Sequence, residues 1–268
     1  MWAILLAWLV DRAQAVMCAH NYGAPWNGIG AVIDVQDRKA AAPMAYRVLA
    51  PALLWPARLL KWPMLEAYEV IKIGCMAFGL WGVSVGWGLE VTFLTAALLP
   101  VTFKFDYWDW GIELGALGLA MSGRVELILV GVVLHALSKE TWPLTPFTAL
   151  LAGVPVMGVV WITAAGLMAW LYVRVVVGRR ELYCERWMAR RNWQELVESM
   201  RARPVFLSEM AMSLAVCALV IAAGVARVPG WPAAAVLVMA GWTMAVASET
   251  RVFAGALPWA AAVVVGWM

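Results

Sequence analysis

Apolar residues fall in long runs separated by short polar stretches, the pattern of helices that enter or cross a membrane. Residues 2–17 form the first run, interrupted by Asp11-Arg12. A signal peptide carries its positive charge before the apolar run, and here the charge comes inside and late, so a retained helix is expected, with Asp11 and Arg12 paired or facing protein. Residues 18–43, rich in Gly, Asn and Asp, read as a loop that holds Asp34 and Asp37 on the side opposite the N-terminus. Residues 44–62 are apolar with Arg47, Pro51, Pro56 and Arg58, and proline inside an apolar run predicts a kinked or broken membrane helix. Arg58 and Lys61 are placed to snorkel to the interface. Residues 67–86 come close to the ~20 residues of a full crossing. Residues 89–103 are shorter.

The stretch from Phe105 to Pro143 stands apart. It predicts two short apolar helices, 109–121 and 125–138, joined at Ser122-Gly123-Arg124, with ionisable residues gathered at the open end. Asp106, Asp109 and Glu113 are spaced to share one face of the first helix, and His135 and Lys139 one face of the second, with Glu140 beside them. Antiparallel pairing about Gly123 sets Asp106 opposite Glu140, and Asp109 near His135 and Lys139. Helices this short do not span a bilayer upright. At membrane depth they are tolerated when buried in protein or lining a wet cavity. Charges in such a setting mark a site or an internal ion pair.

Residues 144–178 are mostly apolar, broken by Pro146 and Pro155, and fit either a re-entrant helix plus one crossing or two crossings. Residues 179–205 carry seven Arg against four Glu. Trp193, Leu196, Val197 and Met200 repeat at helical spacing there, which predicts a surface-lying amphipathic helix, cytoplasmic by its positive excess. Apolar segments at about 208–227, 232–248 and 252–268 complete the chain. The expected fold is all-α: one integral membrane domain, 1–268, of about eight to ten crossings or half-crossings.

Composition agrees. The 268 residues are 64% hydrophobic and 14% charged, against roughly 45–50% and about 25% in soluble domains. Mean hydropathy is +0.79. Many of the 18 Trp fall at segment ends, which reads as an interfacial belt rather than a sugar-stacking set. A net charge of +3 gives no reason to expect nucleic acid as a partner. Cys18, Cys75, Cys184 and Cys217 are scattered and read as apolar filler, and no haem-attachment, phosphate-loop or dinucleotide signature occurs.

Three pieces carry a resemblance. Ala45-Tyr46-Arg47-Val48-Leu49-Ala50-Pro51 comes first. Phe105-Asp106-Tyr107-Trp108-Asp109 follows, with Ser138-Lys139-Glu140-Thr141 some thirty residues on. Ser248-Glu249-Thr250-Arg251-Val252-Phe253, running to Pro258, closes the set. In order and spacing they resemble the C-type membrane glycosyltransferase superfamily, as a short bacterial or phage-like member. The resemblance implies sugar transfer from a polyprenyl-phosphate carrier to a glycan or protein acceptor, at the outer face of the bacterial cytoplasmic membrane. The chain is shorter than those enzymes and has no paired acids in its first loop, so the resemblance covers an active enzyme and a lapsed relative alike.

Such transfer needs a carboxylate to take the acceptor's proton and cations to steady the departing phosphate. Asp34 or Asp37 is the candidate base, and Asp109 is a further candidate catalytic residue. Arg47, Lys139 and Arg251 are candidate phosphate ligands, arginine being suited to bidentate contact. Asp106, Asp109 and Glu140 are oxygen ligands for Mg²⁺ or Mn²⁺, although a lysine among them already offsets their charge. Glu113, His135 and Glu249 are supporting residues, with His135 read as a hydrogen-bonded core residue rather than a ligand. The other class is a non-enzymatic membrane protein, a small transporter or a subunit of a complex. In that class Asp109 with Lys139, and Glu249 with Arg251, are structural pairs and Asp34 and Asp37 are solvated loop acids.

Overall fold

A computed structural model describes residues 1–22, 29–40, 46–102, 108–178, 204–245 and 255–267, and among them the regular structure is helical with no strand. The helices are α1 (Trp2–Tyr22), α2 (Ile29–Gln36), α3 (Leu49–Leu59), α4 (Met64–Trp87), α5 (Leu89–Thr102) and α6 (Asp109–Met121). They continue with α7 (Val125–Ser138), α8 (Leu144–Leu151), α9 (Val156–Val177), α10 (Pro204–Val225), α11 (Trp231–Ala245) and α12 (Leu257–Trp267).

The centre of the molecule is α6, buried at every position from Asp109 to Ala120. Glycine makes this possible. Gly111, Gly115 and Gly118 meet Gly79, Gly82 and Gly86 of α4 backbone to backbone. A Cβ on Gly79 would lie 2.6 Å from the Gly111 carbonyl oxygen, and one on Gly82 would lie 2.5 Å from that of Gly115. The register rises on both helices together, so α4 and α6 run parallel, with α5 returning the chain between them. Close approach of small residues is how apolar helices gain packing where no hydrophobic drive separates them from lipid.

After Gly123, which takes a left-handed turn at φ 69°, α7 runs back along α6. α8 is a single short helix, and α9 follows α7 in parallel, with Gly158 against Val125 and Gly166 against Val132 and Trp142. α1 lies on α4 and α5; α10 and α12 pack on each other and against α5, and α11 packs on α10 and α8. The break at Gly153 and Pro155 divides 144–178 into one short helix and one long one. Within the expected loop 18–43 the structure has a helix, α2, whose Val32 packs under Ala50 and Leu54 of α3; that short apolar turn sat below the length at which periodicity can be read.

The distribution of side chains is inverted. Asp109, Glu113 and His135 are at most 1% exposed, while Trp8, Trp55, Trp62, Trp161, Met168 and Val175 face outward. Among the described residues two helices, α4 and α9, are long and apolar enough to cross a membrane, and only 17% of α9's apolar stretch is buried inside the protein. Four shorter apolar helices accompany them.

One pair of expectations does not survive together. The last turn of α9 packs beside α2, and the Tyr46 hydroxyl donates to the Gly178 carbonyl at 3.3 Å. The chain therefore leaves α9 at the end that carries Asp34 and Asp37. A cytoplasmic 179–205 and an outer Asp34–Asp37 loop exclude each other. Residues 179–203 themselves lie outside the described residues.

Candidate functional site

The ionic residues of the hairpin meet in one layer. The α4–α6 register sets Asp109 level with the middle of α4, roughly 15–20 Å from either end of that helix at 1.5 Å per residue. Arg47, in the short stretch before α3, reaches Asp109 Oδ2 at 2.7 Å through Nη1 and Glu140 Oε2 at 3.3 Å through Nη2. Lys139 Nζ binds Glu113 Oε2. Among the described residues, two cations thus face three carboxylates. Asp109 Oδ1 and Glu140 Oε1 are buried with no hydrogen-bond partner among the described residues.

The expected pairing of Asp109 with Lys139 is corrected: Asp109 pairs with Arg47, and Lys139 with Glu113. The reason is local. α7 ends at Ser138, and Lys139 is extended (φ −157°, ψ 150°), so its side chain leaves the helical direction and turns back one turn deeper along α6. The expected neighbourhood of His135 and Asp109 gives way as well. His135 sits between two hydroxyls, with Nδ1 2.9 Å from Thr145 Oγ1 and Nε2 3.0 Å from Thr141 Oγ1. Thr141 donates its one hydrogen to Glu113 Oε1 at 3.3 Å. The imidazole therefore carries its proton on Nε2, donates to Thr141 and accepts from Thr145 through Nδ1. That chain of bonds makes His135 a satisfied core residue, as its sequence setting suggested.

The third resembled segment also touches the layer. A Cβ on Gly255 would lie 3.2 Å from Glu113 Oε1, so the chain just before α12 is seated against that carboxylate. Asp106, Glu249 and Arg251 lie outside the described residues.

Asp34 and Asp37 stand elsewhere. Asp34 is exposed on α2. Asp37 is engaged by Arg58 at 2.7 Å and by Lys39 at 3.8 Å. The Arg58 hydrogen bond holds the Asp37 carboxyl below its ordinary range. Among the described residues neither acid forms a side-chain hydrogen bond or ion pair with the layer.

A divalent cation does not fit the described donors. Asp109 and Glu140 share a guanidinium and Glu113 holds an ammonium, and no group of three or more metal-ligating side chains converges among the described residues.

Sequence reading missed two residues. Thr145 was findable, because a buried imidazole needs partners for both nitrogens and the turn after α7 supplies hydroxyls. Arg174 was findable as a lone charge in the apolar run 144–178; its guanidinium lies 3.5 Å over the Tyr46 ring and 4.9 Å over the Trp170 ring. No protein-family model matches the chain, and no curated protein and no solved structure matches it either.

Proposed function

We propose that the chain is a polytopic helical protein of the bacterial cytoplasmic membrane, and that its ionic layer is the working centre of a glycosyltransferase-like protein using a polyprenyl-phosphate-linked sugar. The membrane part rests on the inversion of polarity: a water-soluble fold does not bury Asp, Glu, Lys and Arg while presenting tryptophan and leucine over several helices. The observation that carries the functional part is convergence. Arg47, Asp109, and Lys139 to Thr141 come from separate resembled segments; Arg47 bonds Asp109 and Glu140, Lys139 and Thr141 bond Glu113 one turn along α6 from Asp109, and Gly255 of the last segment lies against Glu113.

In this reading Asp109 is the base. Its Oδ1 is free of partners among the described residues, and Arg47 fixes its Oδ2. The acceptor's hydroxyl proton passes to Oδ1 as the acceptor oxygen bonds to the sugar's anomeric carbon and the bond to the carrier phosphate breaks. Arg47 turns from Glu140, its longer contact, to the departing phosphate, and Lys139 adds a second positive charge. Arg251 and Glu249 belong to this set by resemblance. Asp34 and Asp37 serve the acceptor side or solvent. The acceptor is a glycan or a protein.

Native mass spectrometry of detergent-purified protein tests this. Wild type and Asp109→Asn are expected to retain polyprenyl phosphate or its sugar adduct, and Arg47→Ala to lose it. No carrier bound to any sample, even after addition of synthetic polyprenyl phosphate, overturns the reading.

A second reading, a non-enzymatic transporter or subunit, is favoured by the saturation of the layer: both of its cations already touch carboxylates. In that case the double variant Glu113→Lys, Lys139→Glu keeps function, because only the pair matters.

The face is a separate question. Arg38, Lys39, Arg58 and Lys61 gather at the α2 end, whereas Arg124 lies at the opposite end of the α6–α7 hairpin. The positive-inside rule puts the α2 end in the cytoplasm, against the outer face that the resemblance implies. A cysteine at Lys39 that reacts with an impermeant maleimide in whole cells restores the outer face; one that reacts only after lysis assigns the α2 end to the cytoplasm.

A further inference from the structure

The outer face of α1 is apolar except at one point. Leu5, Trp8 and Leu9 precede Arg12 on that face and Val16 follows it, all four exposed. Arg12 sits at the midpoint of α1, roughly 15 Å from either end at 1.5 Å per residue. Its guanidinium bonds Glu69 of α4 at 2.6 Å, and the two side chains are 48% and 33% exposed. Asp11 and Lys72, which complete this cluster, are buried behind them. The pairs Arg47–Asp109 and Lys139–Glu113 are sealed as well, with no member more than 14% exposed. The α1–α4 cluster thus keeps its inner half inside the protein and turns one cation and one anion outward.

That arrangement suits a protein neighbour better than lipid. Charged side chains within membrane helices face the bundle interior, a water-filled cavity or one another, because hydrocarbon offers them no hydrogen bonds. Snorkelling carries a free arginine toward the interface. Here Asp11 binds Nε at 2.9 Å and Glu69 binds Nη2, so the guanidinium stays with the cluster, between apolar turns.

The face is also self-complementary. Two copies in the same orientation in one membrane are related by a two-fold axis along the membrane normal, which carries every atom to a point at the same depth. Arg12 and Glu69 lie level on neighbouring helices, since they bond directly. An axis passing between them sets each Arg12 opposite the partner's Glu69, and two outward ion pairs become one ring of four alternating charges. We propose that this α1–α4 face is the surface on which a second copy of the chain docks, with Leu5, Trp8 and Leu9 packing beside the axis. The proposal rests on the membrane reading above and not on sugar transfer, because none of these residues belongs to the α6–α7 layer.

The test uses two tagged forms of the full chain, co-expressed, with one pulled down in neutral detergent. Wild-type copies are expected to co-purify and to show twice the chain mass by native mass spectrometry. Arg12→Glu paired with itself, or Glu69→Arg with itself, is expected to co-purify at least about ten-fold less, because like charges then face each other. Arg12→Glu paired with Glu69→Arg is expected to return near the wild-type yield, since opposite charges then meet at both places across the axis. A pair that matters only within its own chain stays broken in both copies and gives no recovery. Trp8→Cys leaves the cluster intact and is expected to cross-link between copies through a short bismaleimide, above both the wild-type chain and Met168→Cys on α9. Wild-type copies that do not co-purify, like variants that co-purify as well as wild type, or Trp8→Cys linking no more than Met168→Cys each overturn the proposal. Carbonate washing of the same membranes separates the two readings. Release of the wild-type chain overturns the membrane reading and this one together, whereas a retained chain that stays monomeric overturns the docking surface alone.

Discussion

Two ionic clusters flank α4, one shared with α1 and one beyond α6, and they solve the cost of buried charge differently. On the α1 side Asp11 takes both Lys72, at 2.6 Å, and Arg12, and Glu69 takes Arg12 at 2.6 Å and Lys72 at 3.4 Å. Every acid there has two cations and every cation two acids. In the α6–α7 layer Glu113 depends on Lys139 and on the Thr141 hydroxyl, Asp109 on Arg47 alone, and two carboxylate oxygens lack partners among the described residues. A network closed on itself fixes helix register. An open one leaves buried carboxylate oxygens without a partner among the described residues, and each such oxygen carries its desolvation cost.

The contrast breaks first at the glycines that separate the two clusters. Gly111→Leu places a side chain into the Cys75–Met76 backbone of α4, where rigid main chain cannot yield. The expected outcome is loss of the folded species on size-exclusion chromatography. Gly74→Leu, on the same helix with open space around its Cβ position, is expected to elute as wild type.

Next in size is the unequal cost of removing one cation from each cluster. Lys139→Met leaves Glu113, 1% exposed, with a hydroxyl as its remaining partner. Breaking such a buried pair costs on the order of 3–5 kcal/mol. Lys72→Met leaves Asp11 with Arg12 still bound, so the loss is nearer one charge-assisted bond, about 1.5–3 kcal/mol. Denaturant titration in a fixed detergent measures both. The double variant Glu113→Leu, Lys139→Met is expected to recover most of the first loss, because no orphan charge remains. Equal losses for the two lysines would erase the distinction between a closed and an open network.

How much of this was legible in the sequence follows from the range of the forces involved. The hairpin helices, their turn and most helix boundaries could be read, because apolar run length and Gly-Pro punctuation are local. The gathering of Asp109, Glu113, Lys139 and Glu140 at one end was readable from spacing alone. Their partners were not. Arg47 reaches Asp109 across 62 positions, and Lys139 chose Glu113 because the extended backbone after Ser138 turned its side chain. α2 escaped because its packing on α3, not its own period, makes it a helix. The glycines of α4 and α6 were visible in the sequence, but that they face each other is a property of the pair.

The smallest expected effect lies outside both clusters and calibrates them. Asp37 is partly exposed and held by Arg58 at 2.7 Å, and that hydrogen bond is the leading cause of its lowered carboxyl range. A depressed folded-state pKa means that the folded protein holds its proton less tightly than the unfolded chain does. The pair therefore stabilises the α2–α3 contact above the ordinary carboxylate range, and the contribution disappears as pH falls through the folded value. Because the pair is exposed, salt screens it. Thermal unfolding of wild type and Asp37→Asn is expected to differ slightly at pH 7 in low salt, and to converge as pH falls below the ordinary carboxylate range or in 1 M salt. The buried pairs of both clusters should keep their effect in salt, since a Debye length of about 3 Å at 1 M acts through solvent that does not reach them. A salt-sensitive Lys139→Met loss would mean that water enters the layer, and the open network would then be a wet cavity rather than a dry one.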